Sequence, residues 1–250
     1  DCPSGMDCVT GAVSDVTLSA DHTLCMAAIK QGLLKHPGRS YAGQLHRVDI
    51  GIEELGQHLL EAVPELIDRD LISQCLPKRP ASGHKGTFGT CQVIAGTESY
   101  TGAAYLAGKS AYRAGCGLVD VATLKAVRSC LAAQLMEAVW TILPESSGGY
   151  DPSGVSLLEH NFGKMDAIVI GPGFGLAKPT RSFVHRLVKH LPKATPVLFD
   201  ADGLKLLGSL DRWDSFLPDK AILTPHPGEM AVLTGQADRK STRLNSSHYS

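Results

Sequence analysis

The chain has 250 residues, is 43% hydrophobic and 20% charged, and carries a net charge of −1. Such a composition belongs to an ordinary globular protein with length for one large domain or two small ones. Scattered Lys and Arg argue against a nucleic-acid partner, and no apolar run reaches the roughly 18 residues of a membrane span. Seven cysteines (Cys2, Cys8, Cys25, Cys75, Cys91, Cys116 and Cys130), with no C-x-x-C pair among them, predict reduced thiols of a cytoplasmic protein rather than a disulfide frame or zinc site.

In chain order, Ala12–Ser19 and Gln44–Ile50 have strand character, with a turn-rich loop, Gly32–Gly43, between them. Glu53–Ala62 has the pattern of a short amphipathic helix, and Leu76–Gly83 is a polar, proline-bearing hinge. From His84 onward strands and helices alternate. The strands are Thr90–Ala95, Leu118–Thr123, Ala167–Ile170, Pro196–Asp200 and Ala221–Thr224. The helices are Thr101–Ala114, Lys125–Leu135, Lys178–His190, Gly203–Gly208 and Gly228–Thr234. Val- and Ile-rich strands with no polar face predict a parallel sheet covered by helices, an α/β architecture. Residues 238–250 have no apolar periodicity; Asp238–His248 resembles a translated sequencing adapter and is expected to be a non-native tail.

In a parallel sheet, ligands gather outside the carboxyl ends of the strands. Four such ends carry candidate chemistry. The first leads into Thr101, Gly102, Ala103 and Ala104: Thr101 fits an N-cap, and the small residues behind it leave the helix amides open to an anion. A plainly capped helix packing small residues on the sheet explains the same letters. The second is the turn Gly171-Pro172-Gly173-Phe174-Gly175, whose glycines permit close approach of backbone to a phosphate. It has neither the Rossmann nor the Walker spacing, and Lys178 does not supply one. The third carries Asp200 and Asp202, either holding a ligand or, equally, Asp202 capping the next helix while Asp200 bonds nearby backbone amides. The fourth holds His226 between Pro225 and Pro227, with Glu229 in the helix turn that follows. A lone histidine is usually structural, and the other histidines show no metal-binding spacing. No G-x-S-x-G elbow is present, which disfavours a serine hydrolase.

Taken in order, HKGTFG, SYTGAAYLAGKSAYRAGCGLVDVAT, IGPGFG, LFDADGLKLL and LTPHPGEMAVLTG resemble the dehydratase domain of NAD(P)H-hydrate repair enzymes, over His84–Gly235. The opening D-C-P-S-G-M-D and the run KQGLLKHPGRSYAGQLHRVDIGI resemble the end of the epimerase domain fused ahead of it in many bacterial members. The resemblance implies a truncated ribokinase-like fold, with a mostly parallel sheet and helices on both faces, behind the remnant of a Rossmann-like epimerase domain. It divides the chain into an epimerase remnant (1–52), a linker (53–83), the front of the dehydratase domain (84–237) and the tail (238–250).

It further implies repair of hydrated NADH or NADPH. The epimerase interconverts the two hydrate epimers; the dehydratase phosphorylates the S epimer from ADP, with Mg2+, and eliminates phosphate. Substrate contacts carried over are Ala103, Gly173, His226 and, in the epimerase part, Asp1. Ser4 is carried over as a ligand of K+. Thr101, Gly102, Gly171, Gly175, Asp200 and Asp202 are candidate substrate or nucleotide contacts. A cytoplasmic homo-oligomer is expected of the intact protein, without nucleic-acid or membrane partners. The family's Lys-Gly-Gly segment and Gly-Thr-Gly-Asp motif, which carries the catalytic Asp, do not occur in this sequence. This chain is therefore expected to be an inactive part. The alternatives are a ribokinase-like small-molecule kinase of the hydroxymethylpyrimidine or thiazole type, and a dinucleotide-binding fragment without catalysis.

Overall fold

Strands that bury both faces have to be apolar throughout, and that pattern lies at the centre of the larger unit. A computed structural model describes residues 1–52 and 66–236. The chain forms two compact units, Asp1–Pro77 and Lys78–Ser250. The helix expected over Glu53–Ala62 and the tail 238–250 lie outside the described residues.

In the first unit, strands β1 (His22–Met26) and β2 (Gln44–Val48) form a parallel pair. A small core of Met6, Cys25, Leu33 and Ala42 lies beside it. The strand expected over Ala12–Ser19 is not formed. Val13 makes one isolated bridge to Met6, and Val16 and Leu18 are exposed. A β-pattern without a partner strand gains neither ladder nor burial, so the segment turns instead: the Ser14 amide donates to Gly5 O and the Thr17 amide to Ser14 O. A short helix, α1 (Arg69–Cys75), capped by Asp68, interrupts the expected connector.

The second unit is built on a six-stranded, fully parallel sheet in the order β10-β9-β8-β3-β4-β5. Its strands are β3 (Thr90–Ile94), β4 (Leu118–Leu124), β5 (Val139–Leu143), β8 (Ala167–Ile170), β9 (Val197–Phe199) and β10 (Ala221–Leu223). A small antiparallel hairpin, β6 (Glu145–Ser146) with β7 (Gly149–Tyr150), follows β5. The helices are α2 (Thr101–Arg113), α3 (Lys125–Leu131), α4 (Val155–Phe162), α5 (Lys178–Leu187), α6 (Asp202–Gly208) and α7 (Pro227–Thr234). They pack as two groups: α2 with α3, and α4 through α7 in succession. Right-handed crossovers leaving the centre in opposite directions put those groups on opposite faces. Val93, Ile94, Val121, Ile170, Val197 and Phe199 are fully buried between them, each contributing roughly 1.5–3 kcal/mol of burial. Burial also pushes the Cys91 thiol up to about 12, which keeps it a neutral core residue.

Lys78–Gly83 is not a free hinge. The Arg79 guanidinium sits 3.7 Å from the Phe88 ring centroid and donates to Gly115 O at 2.7 Å, which ties the segment to the second unit.

Candidate functional site

The strand order fixes where a site can form. β3 leads to β4 on one side, and β8, its neighbour on the other, leads away to β9 and β10. The carboxyl ends of β3 and β8 therefore flank the reversal point, where loops diverge and leave a crevice. Both expected small-residue segments are there, and they touch. The Gly96 amide donates to Pro172 O at 2.8 Å and the Thr97 hydroxyl to Gly173 O at 3.0 Å. Gly173 has φ +69°; a Cβ built on it meets the Ala103 Cβ and the Tyr100 carbonyl, each at 2.8 Å. Ala103 and Gly173 are thus brought into direct contact. Gly171, at φ +115°, backs onto the next strand end, where a Cβ would stand 2.3 Å from Asp200 O and 2.5 Å from Gly203 Cα. Glycine is required at both positions by conformation and by space.

Thr101 is not the N-cap of α2. A 3₁₀ turn at Glu98–Tyr100 runs directly into the helix, so Thr101 already has helical angles, and no side chain caps the first turn. Open first-turn amides with small residues beside them suit an anionic ligand. Gly102 is exposed, and a Cβ there meets nothing within 4 Å.

The two aspartates do not cap α6; each reaches to a neighbouring strand end. Asp200 Oδ1 accepts from the Thr224 hydroxyl at 2.9 Å, across to the end of β10. Asp202 Oδ2 accepts from the Gly175 amide at 3.0 Å, which pins the glycine turn, while Oδ1 holds Lys205 Nζ at 3.0 Å. The hydrogen bond that Lys205 donates to Asp202 raises its ammonium above the ordinary range, with further help from the Glu229 carboxylate and the Tyr100 phenol. Between the two aspartates, Ala201 has φ +52° and ψ −126°, a strained geometry for a residue with a Cβ.

His226 sits two strands away from β8, beyond β10, and acts as the cap of α7. Its Nδ1 accepts from the Gly228 and Glu229 amides at 3.1 and 3.3 Å. Glu229 returns the bond, accepting from the His226 amide at 3.0 Å, so the pair is a capping box. Nδ1 as acceptor assigns the ring proton to Nε2, 3.2 Å from Glu229 Oε1. The imidazole is 62% exposed and the Glu229 carboxyl 6%. The ring can therefore donate outward through Nε2 only in competition with Glu229.

Three participants were not legible in the sequence. Lys205 lies in an ordinary helical stretch and is marked only by its partner Asp202. Ala201 looks unremarkable as a letter. Tyr150, on the β6–β7 hairpin, is fully buried: its hydroxyl bonds Ala95 O at 2.9 Å and Gly96 O, and its ring packs on Phe174 with centroids 4.8 Å apart. It thereby holds both loops of the crevice, and burial pushes its phenol far up, so it remains a neutral donor. A cleft of about 270 Å³ opens beside the crevice, bordered by Thr97, Tyr100, Glu145, Phe174 and Gly175 among others. Of the expected site residues, Gly175 alone lines it.

In the first unit, Asp1 is exposed and paired with Lys30 Nζ at 2.7 Å. Asp7 is held below the usual carboxylate range by the Thr10 amide, then by the Thr10 hydroxyl and the Val9 amide. Ser4 is exposed on the intervening turn.

The strand order and helix placement give the second unit a ribokinase-like fold. A solved ribokinase-like superfamily protein from Enterococcus faecalis shares it, with TM-score 0.58 and 23% identity over 72% of this chain and 60% of that one. The family model described as NAD(P)H-hydrate dehydratase matches residues 91–249, and the chain belongs to that family. The match includes the segment read above as a non-native tail. The bifunctional NAD(P)H-hydrate repair enzyme Nnr of Moorella thermoacetica is 34% identical over 96% of this chain and 45% of that protein. The Escherichia coli protein of the same name is 35% identical over 98% and 44%. The chain thus spans about half the length of the curated relatives it matches. The ADP/ATP-dependent NAD(P)H-hydrate dehydratase of Bacillus subtilis, co-crystallized with ATP/Mg2+, aligns with TM-score 0.51 and 27% identity over 72% of this chain and 60% of that one.

Proposed function

We propose that Lys78–Gln236 provides the substrate side of an ADP-dependent NAD(P)H-hydrate dehydratase site. The observation that carries this reading is the seating of the Gly171–Gly175 turn on Ala103, at the reversal point of the sheet and against an uncapped helix start. A dinucleotide hydrate brings a pyrophosphate and a hydroxyl-bearing ring. The open amides around Gly102 and Ala103 suit the former, and Lys205 adds a cation already fixed by Asp202. His226 Nε2 would offer a donor at the far end of the same row of strand ends.

The chemistry asks for phosphorylation of the hydrate hydroxyl by ADP, followed by loss of phosphate, which converts a poor leaving group into a good one. Such transfers depend on positioning and charge neutralisation. Asp200, one oxygen of which accepts from the Thr224 hydroxyl, would help hold Mg2+, and the ion when bound would neutralise phosphate charge. The catalytic Asp belongs to the family's Gly-Thr-Gly-Asp motif, outside this sequence. We further read Asp1–Ile52 as part of an epimerase domain, and the cellular setting as cytoplasmic, in keeping with seven free thiols.

The test mixes the chain with the hydrates of NADH. Saturable binding of the S epimer is expected. Binding absent at millimolar hydrate would overturn the reading.

A further inference from the structure

Two of the seven thiols face each other. Cys2 Sγ and Cys8 Sγ lie 3.1 Å apart, and both residues are half-buried. A disulfide places its sulfurs at about 2.05 Å, so closure needs an approach of roughly 1 Å. The backbone joining them is already fixed. The Met6 amide donates to Pro3 O at 3.2 Å, the Asp7 amide to Ala12 O at 2.8 Å, and the Gly32 amide to Cys8 O at 2.7 Å. Met6, between the two cysteines, is buried in the small core. These bonds order the turn between the two cysteines before any covalent bond forms, with the sulfurs already at 3.1 Å. Among the described residues no other sulfur meets a sulfur. Cys25 and Cys91 are buried, Cys75 and Cys130 are exposed, and Cys116 is bonded to backbone carbonyls.

We propose that Cys2 and Cys8 form a dithiol modification site that low-molecular-weight disulfides of the glutathione type oxidise to an intramolecular disulfide. One cysteine thiolate attacks the small disulfide, forms a mixed disulfide and releases one small thiolate. The second cysteine, having lost its proton, attacks the bonded cysteine sulfur and releases the other. The protein loses two protons and two electrons, and the small disulfide is reduced to two thiols. The new bond closes the turn that carries Ser4; its use as a control on hydrate epimerisation rests on the epimerase reading, whereas its formation does not.

The experiment treats the whole chain with oxidised glutathione, blocks remaining thiols with iodoacetamide and maps peptides by mass spectrometry. The expected result is a Cys2–Cys8 cross-link lighter by two hydrogens, reversed by dithiothreitol, with Cys75 and Cys130 carrying glutathione or the alkyl group. In Cys8→Ser, Cys2 should keep its glutathione adduct instead of shedding it. Glutathione adducts persisting on both Cys2 and Cys8 in the unsubstituted chain would overturn the proposal. So would their alkylation to the same extent as Cys75 and Cys130.

Discussion

A side chain at Gly102 would meet nothing of the protein, so its absence serves no packing need. Alanine there should stabilise the start of α2 by about 0.5 kcal/mol, through helix propensity and a stiffer unfolded chain. If the amides of that turn face a ligand, the same methyl group should weaken hydrate binding several-fold. Thermal melting and titration on one sample would show a variant that melts higher and binds less; a gain in both would remove Gly102 from the site. Gly171 is the opposite case. Its φ of +115° and the 2.3 Å approach to Asp200 O make Gly171→Ala destabilising by about 2–3 kcal/mol, measurable as a lower denaturant midpoint. His226 separates capping from contact. His226→Ala should cost about 1 kcal/mol through the lost cap. His226→Asn restores an acceptor for the Gly228 and Glu229 amides and should recover stability but not hydrate affinity. Recovery of both would reduce His226 to a cap.

At the scale of elements, the central question is what holds the β3 and β8 loops at one separation. Tyr150 bonds the end of β3 and packs against the Gly171–Gly175 turn. Tyr150→Phe keeps the ring and removes the hydroxyl, leaving Ala95 O and Gly96 O to share fewer donors. It should cost about 1–2 kcal/mol in chemical denaturation. The strands and helices flanking this junction were legible, because a parallel sheet writes continuous Val and Ile runs and its crossover helices begin at glycine-rich turns. β5, the β6–β7 hairpin and α4 were not. β5 is an edge strand with Val139 and Ile142 exposed, so its pattern lacks a fully apolar run. The hairpin strands span two residues each, too short for any period. Ala12–Ser19 failed in the other direction, since alternation predicts a strand only where a partner exists to pair with it.

For the whole molecule, the sequence placed the site at carboxyl ends of parallel strands, and Ala103, Gly171, Gly173, Gly175, Asp200 and Asp202 form linked contacts there. The links themselves could not be read from letters. On the letters Asp202 could equally cap a helix and Asp200 bond local amides, and only the strand order carries them toward Gly175 and Thr224 instead. Lys205, Ala201 and Tyr150 gain their roles from neighbours distant in sequence. The account's central claim is that this row of strand ends is where a NAD(P)H hydrate binds. Heteronuclear NMR of the backbone amides during titration with the S epimer of NADH hydrate tests it most directly. The account predicts saturable shifts concentrated at Gly102, Ala103, Gly173 and the turn around His226, with the amino ends of the strands unmoved. Shifts centred elsewhere, or none at saturating ligand, would contradict it.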